Sequence, residues 1–147
     1  MVKKELASIL NEVLLPIGFK KKGDYWVING DEIAKMVNLQ RSQFSNSFYI
    51  NYGYILKSIP LNGLMMHVFK GFGSIDKIEQ QRFTVLLDLG NDISNKDRAK
   101  ELREALEKLA LNIQEVNTED DVLNELKKRP HLIVIPLVVK KHFGLIE

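Results

Sequence analysis

The chain contains no cysteine. That excludes disulfides, thiolate metal sites, iron–sulfur clusters and cysteine nucleophiles. Long apolar runs are missing as well: the longest, Leu132 to Val139, falls far short of the about 20 residues a membrane helix needs. Lys3 and Lys4 precede apolar residues as in an export signal, but Glu5, Asn11 and Glu12 interrupt the apolar core and no small-residue cleavage site follows. The expectation is a cytoplasmic protein with no membrane association. A dense basic stripe is also lacking. The net charge is +2, with 9 Lys+Arg against 5 Asp+Glu in residues 1–75 and 12 against 14 thereafter. This balance is too mild to announce a nucleic-acid protein and unlike an acidic mimic. There is no phosphate-binding P-loop, dinucleotide fingerprint, nucleophile elbow or His-Glu-x-x-His zinc pattern.

What is present suits one soluble globular domain spanning residues 1–147. The chain is 45% hydrophobic and 27% charged, near globular averages, and long enough to bury a core without staples. No internal repeat or linker divides it.

Leu6, Ile9, Leu10, Val13, Leu14 and Ile17 recur at helical spacing, predicting an amphipathic helix that Pro16 and Gly18 end. The period then shortens. Strands are expected at Phe19–Lys22, Tyr25–Ile28, Glu32–Arg41, Phe48–Leu56, Leu64–Lys70 and Phe83–Leu89. Asn29-Gly30 reads as a tight hairpin with two positive-φ residues, and short connections favour an antiparallel meander. Lys70-Gly71-Phe72-Gly73 is too sparse for a phosphate loop and reads as a flexible strand exit. Ser94 caps a helix whose apolar face is Ala99, Leu102, Leu106, Leu109 and Ile113. Thr118 caps another, opened by Glu119, Asp120 and Asp121 and closed by Lys127, Lys128 and Arg129, as the helix dipole favours. Pro130 to Phe143 fits a β-branched strand or a helix beginning at Pro130; Pro136 tips the balance to helix. The fold class is α+β: an N-terminal helix, a mostly antiparallel meander sheet of about five or six strands, and C-terminal helices packed on one face.

Side chains alternate along strands, so the third and fourth strands divide into two lists. Ile33, Val37 and Leu39, broken by Lys35, join Phe48, Ile50, Tyr52, Tyr54 and Leu56 as the helix-facing set. Asn38, Gln40, Ser42, Tyr49 and Asn51 then share the reverse face as a patch of neutral hydrogen-bonding groups. Two asparagines in neighbouring strands are unusual, and a recognition surface is one reason for them. The plainer reason is an ordinary solvated face, with amides bonding across strands or holding the Ser42–Ser47 turn.

Other signals are weaker. His67, His131 and His142 show no metal-ligand spacing. His67 would lie near Asn51 if its strand pairs as expected, and Asp88 and Asp92 flank a strand end, where turn and cap roles are common. Lys20, Lys21 and Lys22 beside Tyr25 and Trp26 form a meagre version of a single-stranded RNA platform; alternation sends Lys21 to the opposite face, and Trp26 suits the core.

Three blocks carry a family resemblance: Gly18-Phe19-Lys20-Lys21-Lys22, Val37-Asn38-Leu39-Gln40-Arg41-Ser42-Gln43 and Phe48-Tyr49-Ile50-Asn51-Tyr52-Gly53. With His67-Val68, Gly73-Ser74, Leu87-Asp88-Leu89 and Asn91-Asp92-Ile93, the chain resembles the bacterial domain-of-unknown-function family numbered 4304 over roughly residues 3–115. After His67 it departs from the family pattern: Phe69 and Gly71 surround Lys70 where the family carries arginines. The resemblance implies a bacterial cytoplasmic protein with a sheet-plus-helices fold and brings no assigned activity. The expectation is a non-enzymatic protein-binding module, an immunity-type partner being one version. It would use Asn38, Gln40, Ser42, Tyr49, Asn51 and His67, need no cofactor or metal, and bind no nucleic acid. A homo-oligomer paired through the Phe48–Leu56 strand is compatible with the pattern. The alternative is a small enzyme or polar-ligand-binding protein with a pocket near His67 and Asn51, pairing His67 with a carboxylate such as Asp88.

Overall fold

The computed structural model describes residues 1–71 and 77–145. Helix α1 (Lys3–Leu14) buries Leu6, Ile9, Leu10, Val13 and Leu14, the face its spacing predicts. A 3₁₀ turn over Leu15–Ile17 ends it, and Gly18 follows with a φ of 103°, a conformation that costs glycine little.

Five strands follow, β1 (Lys20–Lys22), β2 (Tyr25–Asn29), β3 (Ile33–Arg41), β4 (Phe48–Leu56) and β5 (Val68–Gly71). They pair antiparallel in the order β1-β2-β3-β4-β5, the expected meander. Four helices complete the chain: α2 (Lys77–Leu86), α3 (Asn95–Gln114), α4 (Glu119–Lys127) and α5 (Leu137–His142). Ser94 accepts the Asp97 N–H to start α3. Thr118 and Asp121 form a reciprocal capping box at α4.

The central register pairs Val37 with Tyr52, Asn38 with Asn51, Leu39 with Ile50 and Gln40 with Tyr49. Opposed residues share a face, so the register fixes both faces at once. Trp26, Val37, Leu39, Ile50 and Tyr52 join the buried residues of α1, α2 and α3 in one apolar cluster. Ile33, Tyr54, Leu56 and Val68 join those of α4 and α5 in a second. All five helices therefore lie on the Trp26 side of the sheet.

Four local expectations require correction. Phe83–Leu89 is not a strand: residues 83–86 end α2, and only Ser47 with Asp88 makes a bridge beyond it. Phe83, Leu86 and Leu87 are buried while Val85 is exposed, which is helical spacing rather than alternation. The β2–β3 hairpin exists, but its loop is Gly30–Glu32, closed by Gly30 N–H donating to Ile33 O at 2.9 Å. Neither Asn29 nor Gly30 has positive φ; Asn62 and Gly63 do, in the loop before β5. That loop delays β5 until Val68. Finally, the last helix starts at Leu137, behind Pro136, not at Pro130. Strand β4 has partners on both sides, so the proposed oligomer edge at Phe48–Leu56 is already paired. The free edges are β1, whose sequence is three lysines, and β5; charge protects the first from further pairing. Phe72 and Gly73 of the expected strand exit lie outside the described residues.

Two buried cations hold the helical layer. Lys35, on the inner face, donates to Ile113 O at 2.9 Å and Asn117 Oδ1 at 2.8 Å, satisfying a carbonyl in the last turn of α3. Arg98, fully enclosed in α3, donates to the carbonyls of Leu86 and Asp88 and to Asn91 Oδ1, closing the end of α2. Each places positive charge where a helix dipole is negative.

Two substitutions test this frame by urea unfolding. A Cβ on Gly53 would sit 1.8 Å from Val68 O and 2.5 Å from Met66 Sδ, so Gly53→Ala is expected to destabilise by about 2–3 kcal/mol. Arg98→Met leaves the Leu86 carbonyl at the end of α2 without its donor and Asn91 Oδ1 without the guanidinium, and is expected to cost about 3 kcal/mol. A loss below about 0.5 kcal/mol, the range of an ordinary surface change, would contradict either role.

Candidate functional site

The reverse face of the sheet carries no helix. By register it includes Lys20, Lys22, Tyr25, Val27, Met36, Asn38, Gln40, Tyr49, Asn51, Ile55 and Phe69, with Asn29, Ala34, Gly53 and Gly71 completing it. At its centre Asn51 Nδ2 donates to Gln40 Oε1 at 3.2 Å and to Asn38 Oδ1 at 3.4 Å. Asn38 Nδ2 reaches Asp24 O at 3.3 Å. The two asparagines are buried and Gln40 is exposed. The amides therefore bond chiefly to one another, leaving fewer free donors than a polar patch would suggest. They tie β3 to β4 and to the β1–β2 turn.

Around this floor stand exposed rings. Relative exposure is 37% for Tyr25, 51% for Tyr49 and 44% for Phe69. Phe44, in the turn joining β3 and β4, is 94% exposed. Tyr25 and Phe69 extend the patch beyond the residues read from β3 and β4 alone. Carrying the same alternation across β2 and β5 would have found them. Phe44 gave no periodic signal because it sits in a turn.

Of the expected site residues, Asn38, Gln40, Tyr49 and Asn51 come together on this face. Ser42 lies past the end of β3 and holds the turn, its Oγ accepting the Phe44 N–H at 3.2 Å. His67 is elsewhere and fully buried. Its Nδ1 accepts the Leu56 N–H at 2.8 Å, and its Nε2 lies 2.9 Å from Pro60 O. A carbonyl only accepts, so Nε2 carries the proton and both nitrogens are committed. Asp88 bridges to Ser47, before β4, whereas His67 bonds beside Leu56 at its far end. Nine strand residues at ~3.3 Å each separate those ends by roughly 25–30 Å. The His67–Asp88 pair of the alternative reading does not form. Lys20 and Lys22 face outward, while Lys21 lies 5.5 Å from the Trp26 ring on the helix side. Trp26 is buried and donates to Asn11 Oδ1 at 2.8 Å, the core role expected of it.

The family model described as a domain of unknown function (DUF4304) matches residues 10–128, most of the chain. The chain belongs to this family. No curated protein and no solved structure matches it. In this DUF4304 chain the blocks containing Gln40, Ser42 and Asn51 are thus the β3–β4 ladder and the amide floor upon it. No described helix is long and apolar enough to cross a membrane. Among the described residues no three His, Asp or Glu side chains are grouped to hold a metal. A cleft of about 570 Å³ beside α2 and α3 is lined by Arg82, Asp92, Ser94, Asp97 and Glu101. Arg82 is spent there in a two-fold pairing with Glu101, at 2.8 and 2.6 Å.

Among the described residues a serine–histidine–carboxylate grouping occurs at Ser58, His142 and Glu119, with His142 beyond the stretch matched to the family. It differs from a nucleophilic triad, in which the acid orients the nitrogen remote from the serine. Here Glu119 Oε1 and Ser58 Oγ both meet His142 Nε2, and Ser58 donates to Glu119 Oε2 at 2.8 Å. The grouping is a clasp joining the loop after β4, the start of α4 and the end of α5. The bonds from His142 and then Ser58 hold the Glu119 carboxyl below its ordinary range, against the opposing effect of burial. A lowered folded value means stability is present above the unfolded carboxyl pKa and lost as pH falls through the folded one. Unfolding midpoints measured from pH 7 down to pH 3 should therefore drop on the acid side. Glu119→Gln should lower the pH 7 midpoint and flatten that drop; an unchanged acid slope would show the clasp contributes nothing.

Proposed function

We propose that this domain is a non-enzymatic protein-binding module. Its contact surface is the helix-free face of the sheet together with the 42–47 turn. The supporting observation is that Tyr25, Tyr49 and Phe69 are exposed on the one sheet face that receives no helix, with Phe44 exposed in the adjoining turn. Exposed aromatic surface gathered on one face is a mark of interaction sites. Aromatic residues are enriched at interfaces, and tyrosine is among the residues that dominate their energetics. The cross-bonded amides beneath keep the strands from shifting, so little ordering cost remains for binding. Neutralising a toxin as an immunity partner is a specific version of this reading; the absence of a strong acidic field separates it from nuclease inhibition by mimicry.

The test is affinity capture from the source cell with the intact chain, beside a Phe44→Ala/Tyr49→Ala double variant. Both positions are exposed, so the variant should unfold at the same urea concentration as the parent. The parent should retain a partner that the variant loses, with affinity down about 30-fold or more if either ring contributes about 2 kcal/mol. Recovery of no partner, or equal retention by both proteins, would overturn the proposal.

A further inference from the structure

A second grouping lies on the opposite side of the sheet, where β5 meets the end of α4. Tyr52 and Tyr54 stand two residues apart on the inner face of β4. Lys70 is directly across from Tyr52 in the register, its Nζ 5.9 Å from the Tyr52 ring. From the end of α4, Arg129 reaches back to β5 and donates through Nη2 to Phe69 O at 3.2 Å. Lys128 and Glu125 flank it, 3.8 Å apart.

Three cations and one carboxylate give this grouping a formal balance of +2. The dipole of α4 explains Lys128 and Arg129 at its C-terminal end. It does not explain Lys70, which comes from the sheet and stands among like charges. Arg129 and Lys128 disfavour the charged form of Lys70, and burial disfavours it more; both act against the attraction of Glu125. Arg129 is likewise lowered, chiefly by burial. Lys70 makes no ion pair among the described residues. Both tyrosine rings are buried, yet neither hydroxyl has a described protein partner. Arg98 Nε is the enclosed side-chain atom left unsatisfied among the described residues, so neither phenol oxygen is completely enclosed. Burial, with Glu125 beside it, pushes Tyr52 up to about 12 and Tyr54 higher still. Both phenols are thus proton donors at neutral pH.

We propose that Lys70, Arg129, Tyr52 and Tyr54 form a binding site for a phosphate-class dianion, between β5 and the end of α4. The charge balance matches the −1.5 to −2 of a phosphoryl group near pH 7. A guanidinium, an ammonium and two phenols all offer hydrogen-bond donors, and a phosphoryl group, with its acceptor oxygens and its double charge, is matched to such a set more fully than a singly charged carboxylate. The site is separate from the aromatic face proposed for protein binding, and either proposal stands without the other.

The experiment titrates inorganic phosphate into the full chain at constant ionic strength, following backbone amide NMR shifts, with acetate as control. Saturable shifts are expected around Tyr52, Lys70 and Arg129, with acetate giving none. Lys70→Gln and Arg129→Gln should each weaken binding tenfold or more, and Tyr52→Phe severalfold. Glu125→Gln should tighten it severalfold, a gain that damaged folding cannot produce. Non-saturating shifts, an equal response to acetate, or binding unaffected by Lys70→Gln and Glu125→Gln would overturn the proposal.

Discussion

The pairing of Asn38 with Asn51 in the β3–β4 ladder is the constraint on which the rest depends. Strand side chains alternate with a period of two, so a slip of one residue would invert every position. With this register, Val37, Leu39, Ile50 and Tyr52 meet the helices, and the amides with Tyr49 face away. The register is held from both sides. Apolar burial beneath α1 and α3 favours it, and the bonds from Asn51 to Asn38 and Gln40 lock it from the reverse face. A buried amide set of this kind contributes specificity more than net stability. Two asparagines, otherwise poor strand residues, thereby acquire a structural reason. The same bonding makes them the floor of the exposed face and leaves contact to the rings around them.

The helical layer depends on the inner face in turn. The last carbonyls of α3 accept from the backbone that follows, Ile113 O from the Val116 N–H at 3.2 Å. Lys35 breaks the apolar pattern of β3 and supplies Ile113 O with a second, charged donor from the sheet. Arg98 donates to Leu86 O at the end of α2 from within α3. With these donors, helices of modest length end inside the molecule without stranded carbonyls. Lys35 thereby links the sheet to the end of α3, and Arg98 links α3 to the end of α2, by polar bonds at defined points. Between the clusters stand Tyr52 and Tyr54, one belonging to each.

Much of this was legible in the residues. The spacing of Leu6 to Leu14 fixed the first helix, and the alternation of Phe48 to Leu56 fixed β4 and its parity. Ser94 and Thr118 marked their helices because capping is local chemistry. The misreadings have physical causes. Phe83, Val85, Leu87 and Leu89 alternate like a strand, but Phe83, Leu86 and Leu87 also suit a helix, and short apolar runs do not separate the two patterns. Asn29-Gly30 matched a turn motif, whereas the loop actually spans Gly30–Glu32. The burial of His67 has no signature in side-chain patterns, because its partners are the backbone of Leu56 and Pro60. Arg98 and the Ser58–Glu119–His142 clasp depend on tertiary proximity alone. The exposed ring at Phe44 followed no period, so only the folded turn reveals it.

The assignment of the two sheet faces is open to one direct measurement, hydroxyl-radical footprinting of the native chain read by mass spectrometry. Tyr25, Phe44 and Tyr49 should oxidise readily, while Trp26, Val37 and Ile50 should be protected until the chain unfolds. Protection of Tyr49 together with rapid oxidation of Trp26 or Ile50 in the native chain would show the faces reversed and remove the basis for the proposed contact surface.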